Sequence, residues 1–137
     1  YIDIMTANLI NEDLQRDFQV FVLPNLYGDI ITDEAAQIQG GMGTAGSANI
    51  GSQYAMFEAV HGSAPRMVEE GIEDRANPES LLKAAELMLR HIGYAQKAEQ
   101  LRRAVDSAAS DPSLRMTGTR EGSSTDDFTE AVLKALN

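Results

Sequence analysis

Hydrophobic positions along this chain switch between two periods, and the switches outline the elements. Over residues 1–16 they recur at helical spacing, with Ile2, Met5, Leu9 and Ile10 on one face, which predicts a helix. Phe18-Gln19-Val20-Phe21-Val22-Leu23 is β-branched and aromatic and stops at Pro24, as a buried strand would. A turn at Pro24-Asn25 leads to a second helix over 28–39, where Ile30, Ile31, Ala35 and Ile38 suit packing on a sheet and Gly40-Gly41 marks the end. Residues 40–51, GGMGTAGSANIG, hold five of the eleven glycines and read as a loop. Residues 54–60 alternate as a strand, and His61-Gly62-Ser63-Ala64-Pro65 enters a short helix at 65–70. Asn77-Pro78-Glu79 is a helix start: a capping Asn, a Pro in the first turn, then an acid. That helix buries Leu81, Leu82, Ala85, Leu89 and Ile92 and ends near Gly93. The next, over 97–108, presents Ala98, Leu101, Ala104 and Val105 on one face. The polar stretch 110–124 has room for a short strand around 114–117, and Ser124 or Thr125 caps a last helix burying Phe128, Val132 and Leu136.

Strands alternating with helices give an α/β class, helices packed on a sheet. About three strands are few for a sheet covered on both faces, so the expected sheet is part of a larger one.

Composition narrows the function. The 137 residues amount to one domain. Eleven basic against twenty-one acidic residues leave a net charge of −10. That argues against a nucleic-acid partner and against docking on anionic lipid, both of which need clustered cations. The chain has no cysteine, which excludes disulfides and thiolate chemistry and fits a reducing cytoplasm. No apolar run approaches the ~18 residues of a membrane span. The first ten residues carry Asp3 and no positive charge, unlike a secretory signal. The chain begins at Tyr1 and not Met, so the expectation is a processed chain or a piece of a longer one.

Candidate chemistry is concentrated at a few positions. Asp29 and Asp33 stand one turn apart and project from one helix face. Two carboxylates there make a hard oxygen site for Mg²⁺ or Mn²⁺. The macrodipole also favours acids in a first turn with no metal at all, so both readings stand. The glycine-rich loop matches neither the dinucleotide fingerprint nor the phosphate-loop pattern. His61 lies between a strand and Gly62-Ser63, which allow a ligand close to the backbone. Arg66 falls at a helix start, where a cation is out of place unless it meets an anion.

Taken in order, several stretches are far more specific. Asn25-Leu26-Tyr27-Gly28-Asp29-Ile30-Ile31-Thr32-Asp33-Glu34-Ala35-Ala36 resembles the signature of the isocitrate/isopropylmalate dehydrogenase family. Gly40-Gly41-Met42-Gly43, Ser47-Ala48-Asn49-Ile50-Gly51, Phe57-Glu58-Ala59-Val60-His61-Gly62-Ser63-Ala64-Pro65 and Ala76-Asn77-Pro78 follow in that family's order. Leu87-Met88-Leu89-Arg90-His91-Ile92-Gly93 and Asp126-Asp127-Phe128-Thr129 carry the likeness nearly to the end.

The resemblance implies that family's fold, three layers with helices packed on a mixed sheet. It makes residues 1–137 the C-terminal portion of the large domain, with residues 1–16 at or near the dimer-interface helix and the N-terminal portion absent. It implies metal-dependent oxidative decarboxylation of a 2-hydroxy acid, isocitrate to 2-oxoglutarate and CO2 being the leading case. The other cases are a 3-isopropylmalate or homoisocitrate substrate, or a non-catalytic regulatory or nucleotide-binding subunit of the same fold. Asp29 and Asp33 then look like metal ligands of one subunit, and Asp3 like the ligand given to its neighbour in a homodimer or higher oligomer. Glu58, His61, Gly62, Ser63, Ala64 and Arg66 would border NAD or NADP, and Asn77 would meet the adenine. The family's arginines, Tyr and Lys that bind and catalyse would precede Tyr1, so no catalytic residue beyond the metal ligands is expected here. The chain alone is expected to be inactive.

Three departures stand out. Arg66-Met67 replaces both the acid expected of NAD-linked relatives and the Lys-Tyr expected of NADP-linked ones, and NAD is slightly preferred. Glu73-Asp74-Arg75 resembles an insertion that could move Asn77. Gly46 stands where many relatives have Pro, which suggests a looser loop.

Overall fold

Small side chains at Ala104, Val105 and Ala108 let one helix close on Phe128 and Val132 of the next, forming a buried cluster joined at its edge by Leu82, Leu101, Leu114 and Met116. Burying side chains such as Phe128 and Val132 contributes roughly 1.5–3 kcal/mol each. The cluster belongs to the larger of two compact units, Tyr1–Met42 and Gly43–Asn137. The computed structural model describes residues 1–41 and 43–137. Met42, part of the Gly40-Gly41-Met42-Gly43 run, lies outside the described residues.

The first unit has two α-helices, α1 (Ile2–Leu9) and α2 (Asn25–Gln39), with a 3-10 turn at Gln15–Asp17 between them. Leu9, Ile31 and Ala36 are its buried residues. Helix α2 starts earlier than the pattern predicts, because Pro24 is extended and its carbonyl already accepts from the Gly28 N–H at 2.8 Å. It stops at Gly40, whose φ of 141° takes it out of the helix. The expected strand at 18–23 is not formed. Val20 and Val22 face solvent, and no described strand pairs with the segment. A ladder is a property of two segments, so β-branched composition alone cannot make one. Ile10, Ile30 and Ile38, expected to be packed, are exposed.

The second unit begins with strands β1 (Gly46–Ile50) and β2 (Ala55–Ala59), antiparallel and paired from Gly46 with Ala59 to Ile50 with Ala55. The expectation of a loop through 40–51 is thus half wrong. Ser-Ala-Asn is a poor strand sequence, but pairing with β2 overrides propensity. Four α-helices follow: α3 (Pro65–Glu69), α4 (Glu79–His91), α5 (Ala95–Ala109) and α6 (Thr125–Leu136), with a 3-10 turn at Glu73–Arg75. Helix α4 lies between the hairpin and α5, and α6 packs on the far side of α5. The α/β class and the family fold hold. Among the described residues the sheet is this antiparallel pair, and the expected third strand at 114–117 is irregular, its Leu114 and Met116 packing on the core instead.

Helix α4 turns Ala84 inward, while Leu81 and Ile92, expected inside, are exposed; so is Leu136 of α6. Its inner face meets β1 so closely that a Cβ at Gly46 would stand 2.5 Å from the Ala84 nitrogen and 2.7 Å from the Lys83 carbonyl carbon. Gly46 is therefore a packing glycine, not the mark of a looser loop. The Phe57 ring lies 5.4 Å from that of His91. Ser80, fully buried on α4, accepts from the Val60 N–H at 2.7 Å and donates to the Ala45 carbonyl. Lys83 binds Glu79 and the Thr44 carbonyl, at 2.7 and 2.8 Å.

The α4–α5 side is held by charge. Glu99 receives Arg102, Arg103 and Arg90 at 2.7, 2.9 and 3.3 Å. Hydrogen bonds from Arg102 and Arg103 lower its pKa from 4.5 to about 2. Helix α6 opens with a capping box, Ser124 Oγ accepting from the Asp127 N–H and Asp127 Oδ2 from the Ser124 N–H. The segment resembling an insertion is tied to this cap: Arg75 donates to the Gly122 carbonyl at 2.9 Å and Thr125 to the Ala76 carbonyl at 2.6 Å.

Two predictions follow from this packing. Gly46→Ala forces strand and helix apart and costs about 1–3 kcal/mol in urea unfolding. An unchanged midpoint would show that the gap can open freely. A carboxylate with a depressed folded pKa stabilises above its unfolded pKa and loses that contribution as pH falls through the folded one. Glu99 therefore contributes above pH 4.5 and loses its effect on the way down to about pH 2. In acid unfolding followed by circular dichroism, Glu99→Gln should flatten the slope across that window and leave the slope above it unchanged.

Candidate functional site

The expected site residues fall into both units. In the first, Asp29 and Asp33 sit one helical turn apart on α2, exposed, with no ion pair or hydrogen bond among the described residues. Unpaired carboxylates spaced by a turn are a donor set suited to a hard divalent cation. Asp3 lies on α1 and accepts the Ile4 N–H at 2.9 Å. Among the described residues no three His, Asp or Glu side chains gather into a metal-binding group.

In the second unit the remaining residues follow β2 in a short arc. Glu58 sits on the face of the hairpin turned away from α4, and Asn49 of β1 donates to it at 2.7 Å. The chain then leaves β2 at Val60, whose N–H is held by Ser80 and whose carbonyl accepts from the Gly43 N–H at 3.1 Å. Beyond it, His61 through Arg66 are all exposed. His61 Nδ1 donates to the Gly62 carbonyl at 2.8 Å, which leaves Nε2 as the free acceptor of the neutral ring. Ala64 is left-handed, at φ 44° and ψ 51°, and it alone of the described non-glycine residues has positive φ. Strain of this kind accumulates at functional sites. Pro65 then starts α3, and Arg66 pairs with Glu70 at 2.5 Å, whose hydrogen bond and charge raise the pKa of the guanidinium.

Asn77, expected as the cap of α4, stands one residue ahead of it, since Pro78 is already helical in φ and ψ and is the N-cap; the Asn77 Oδ1 accepts from the Glu79 N–H at 3.0 Å in a turn just ahead of the helix. Its amide NH₂ makes no hydrogen bond among the described residues and is available to an acceptor on a ligand. A cleft of about 590 Å³ lies beside α3, lined by Arg66, Met67, Glu70, Ile72 and the turn Gly118–Thr119–Arg120–Glu121. Arg120 donates to the Glu70 carbonyl, so two guanidinium groups border one cleft. The hydrophobic pattern missed Arg120, because residues 110–124 carry no period. The signals that could have found it are Gly118 and Gly122, which mark a tight turn; Gly118 has φ 67°.

The second unit thus presents an exposed loop after β2, a helix start at Asn77 and a cleft lined by two arginines and two glutamates. The chain belongs to the isocitrate/isopropylmalate dehydrogenase family, whose model matches residues 1–132. It is 46% identical, over 98% of its length, to isocitrate dehydrogenase (NADP) of Rickettsia bellii, and covers 28% of that protein. It is 43% identical to 3-isopropylmalate dehydrogenase of Methanothermobacter thermautotrophicus, over 77% of this chain and 30% of that one. The crystal structure of isocitrate dehydrogenase from Methylococcus capsulatus superposes with a TM-score of 0.87 at 36% identity, covering 98% of this chain and 39% of that one. The chain thus spans about a quarter to a third of the length of these curated relatives.

Ala64→Val should cost about 1–2 kcal/mol in urea unfolding, since a β-branched side chain resists the left-handed region. Equal stability would mean that the loop relaxes to another conformation.

Proposed function

We propose that this chain is part of a metal-dependent, NAD(P)-linked oxidative decarboxylase that converts isocitrate to 2-oxoglutarate and CO2. The observation that carries the reading is family membership over nearly the whole chain, combined with an Asp29–Asp33 set on α2 that has no ion-pair partner among the described residues. Asp29 and Asp33 hold Mg²⁺ or Mn²⁺, and Asp3 reaches the metal of a second copy. When bound, the metal polarises the substrate hydroxyl as a Lewis acid. Glu58, the 61–64 loop and Arg66 border the dinucleotide, and the Asn77 amide donates to the adenine.

NAD and NADP differ by one phosphate. The name of the Rickettsia bellii relative favours the phosphorylated cofactor, and Arg120, in the cleft that Arg66, Glu70 and Glu121 also line, is the cation offered for that phosphate. This shifts the slight sequence preference for NAD. The close 3-isopropylmalate relative keeps that hydroxy acid as the second reading of the substrate.

A homodimer through α1 and α2 belongs to the same proposal, because Ile4, Ile10, Ile30 and Ile38 on or beside those helices are exposed. So does a cytoplasmic setting, supported by the cysteine-free composition. No described helix is long and apolar enough to cross a membrane. On this reading the chain alone has no turnover, and its testable activity is binding.

Calorimetric titration with Mn²⁺, NADP⁺ and NAD⁺ tests it. Asp29→Asn and Asp33→Asn should each weaken Mn²⁺ by about tenfold or more and leave NADP⁺ unchanged. Arg120→Ser should weaken NADP⁺ several-fold, on the order of one lost charge-assisted hydrogen bond, and leave NAD⁺ alone. A chain that binds neither metal nor dinucleotide overturns the reading.

A further inference from the structure

We infer that Ser80 is the positioning residue of the dinucleotide site, fixing the 61–64 loop relative to Asn77 while touching no ligand itself. The inference rests on the dinucleotide reading of that loop.

The geometry is specific. Ser80 is wholly buried and lies on the first turn of α4, three residues after Asn77. Its hydroxyl accepts from the Val60 N–H at 2.7 Å and donates to the Ala45 carbonyl. Val60 is the last residue before His61. One hydroxyl therefore ties the exit of β2 and the entry of β1 to the helix start that carries the adenine-facing amide. The loop beyond is exposed and has few restraints of its own: His61 binds within the loop, and the next backbone bond is from the Met67 N–H to the Ala64 carbonyl at 3.0 Å. Its direction is set where it leaves Val60. If the hydroxyl is lost, the Val60 N–H keeps only the Ala45 carbonyl, at 3.4 Å, which is long for such a bond. The loop then leaves the strand with a looser register to Asn77, and a ligand held by both must order it on binding.

A purely structural serine would act through stability alone, so the test pairs two variants of the whole 137-residue chain. Ser80→Ala removes the tie. Val132→Ala opens the α5–α6 core, away from the loop, and serves as the stability control. NADP⁺ affinity is measured by calorimetry at a temperature where both are folded by circular dichroism, and amide exchange is followed at Val60 and at residues 61–64. The expected result is about a tenfold weaker NADP⁺ complex for Ser80→Ala, with faster exchange confined to residues 60–64. Val132→Ala should keep the affinity of the unsubstituted chain. Ser80→Thr, which retains the hydroxyl, should recover most of the affinity.

Ser80→Ala binding as tightly as Val132→Ala would overturn the inference while leaving the dinucleotide reading intact. So would exchange that quickens equally across the unit. An unsubstituted chain that binds no NADP⁺ sinks the dinucleotide reading, and the inference with it.

Discussion

A hairpin of two five-residue strands does not hold together by itself in water. The second unit therefore depends on how closely β1 and β2 can sit on α4. Gly46 decides that distance, since any side chain there would collide with the backbone at Lys83 and Ala84. Close approach lets the short side chain of Ser80 reach the backbone of both strands, and lets Lys83 reach the Thr44 carbonyl. Outside the hairpin, α4 leans on α5 and α5 on α6, so the apolar cluster around Phe128 supports the contact from behind. The exposed arc from Glu58 to Arg66 stands on this stack.

The longer helices of the second unit were legible in the sequence because they are amphipathic and, for α6, marked by a capping box. Ala98, Ala104 and Val105 are buried as their spacing says, and Ser124 caps where its type says, while the start of α4 falls one residue after Asn77, at Pro78. The strands were less legible. Residues 18–23 have strand composition with no described partner, whereas 46–50 have loop composition and a partner in β2. Pairing is a non-local fact, and a local pattern cannot contain it. The same holds for Leu81, Ile92, Ile30 and Ile38, which are apolar at plausible inward positions yet exposed, because the facing surface decides burial.

The candidate site was legible in kind and only partly in detail. Motif order placed Asp29, Asp33, Glu58, His61 and Asn77, and the structure gives several of these a local partner: Asn49 for Glu58, Gly62 for His61, Glu79 for Asn77. It could not foresee that Arg120, more than fifty residues after Arg66, borders the same cleft. Nor could it foresee that Ala64 is held left-handed immediately before a proline, since alanine carries no local signal for that conformation.

The distribution of charge has a kinetic consequence. Of eleven cationic side chains, Arg66, Arg75, Lys83, Arg90, Arg102 and Arg103 are already engaged with carboxylates inside the molecule, while the net charge is −10. At a distance the protein therefore presents a negative field. On the proposed function, this field draws in a divalent cation, while an anionic dinucleotide approaches against it until it is within a Debye length of the cleft that Arg66 and Arg120 line. Screening acts oppositely on the two encounters: raising the ionic strength slows capture of the metal and speeds that of the cofactor.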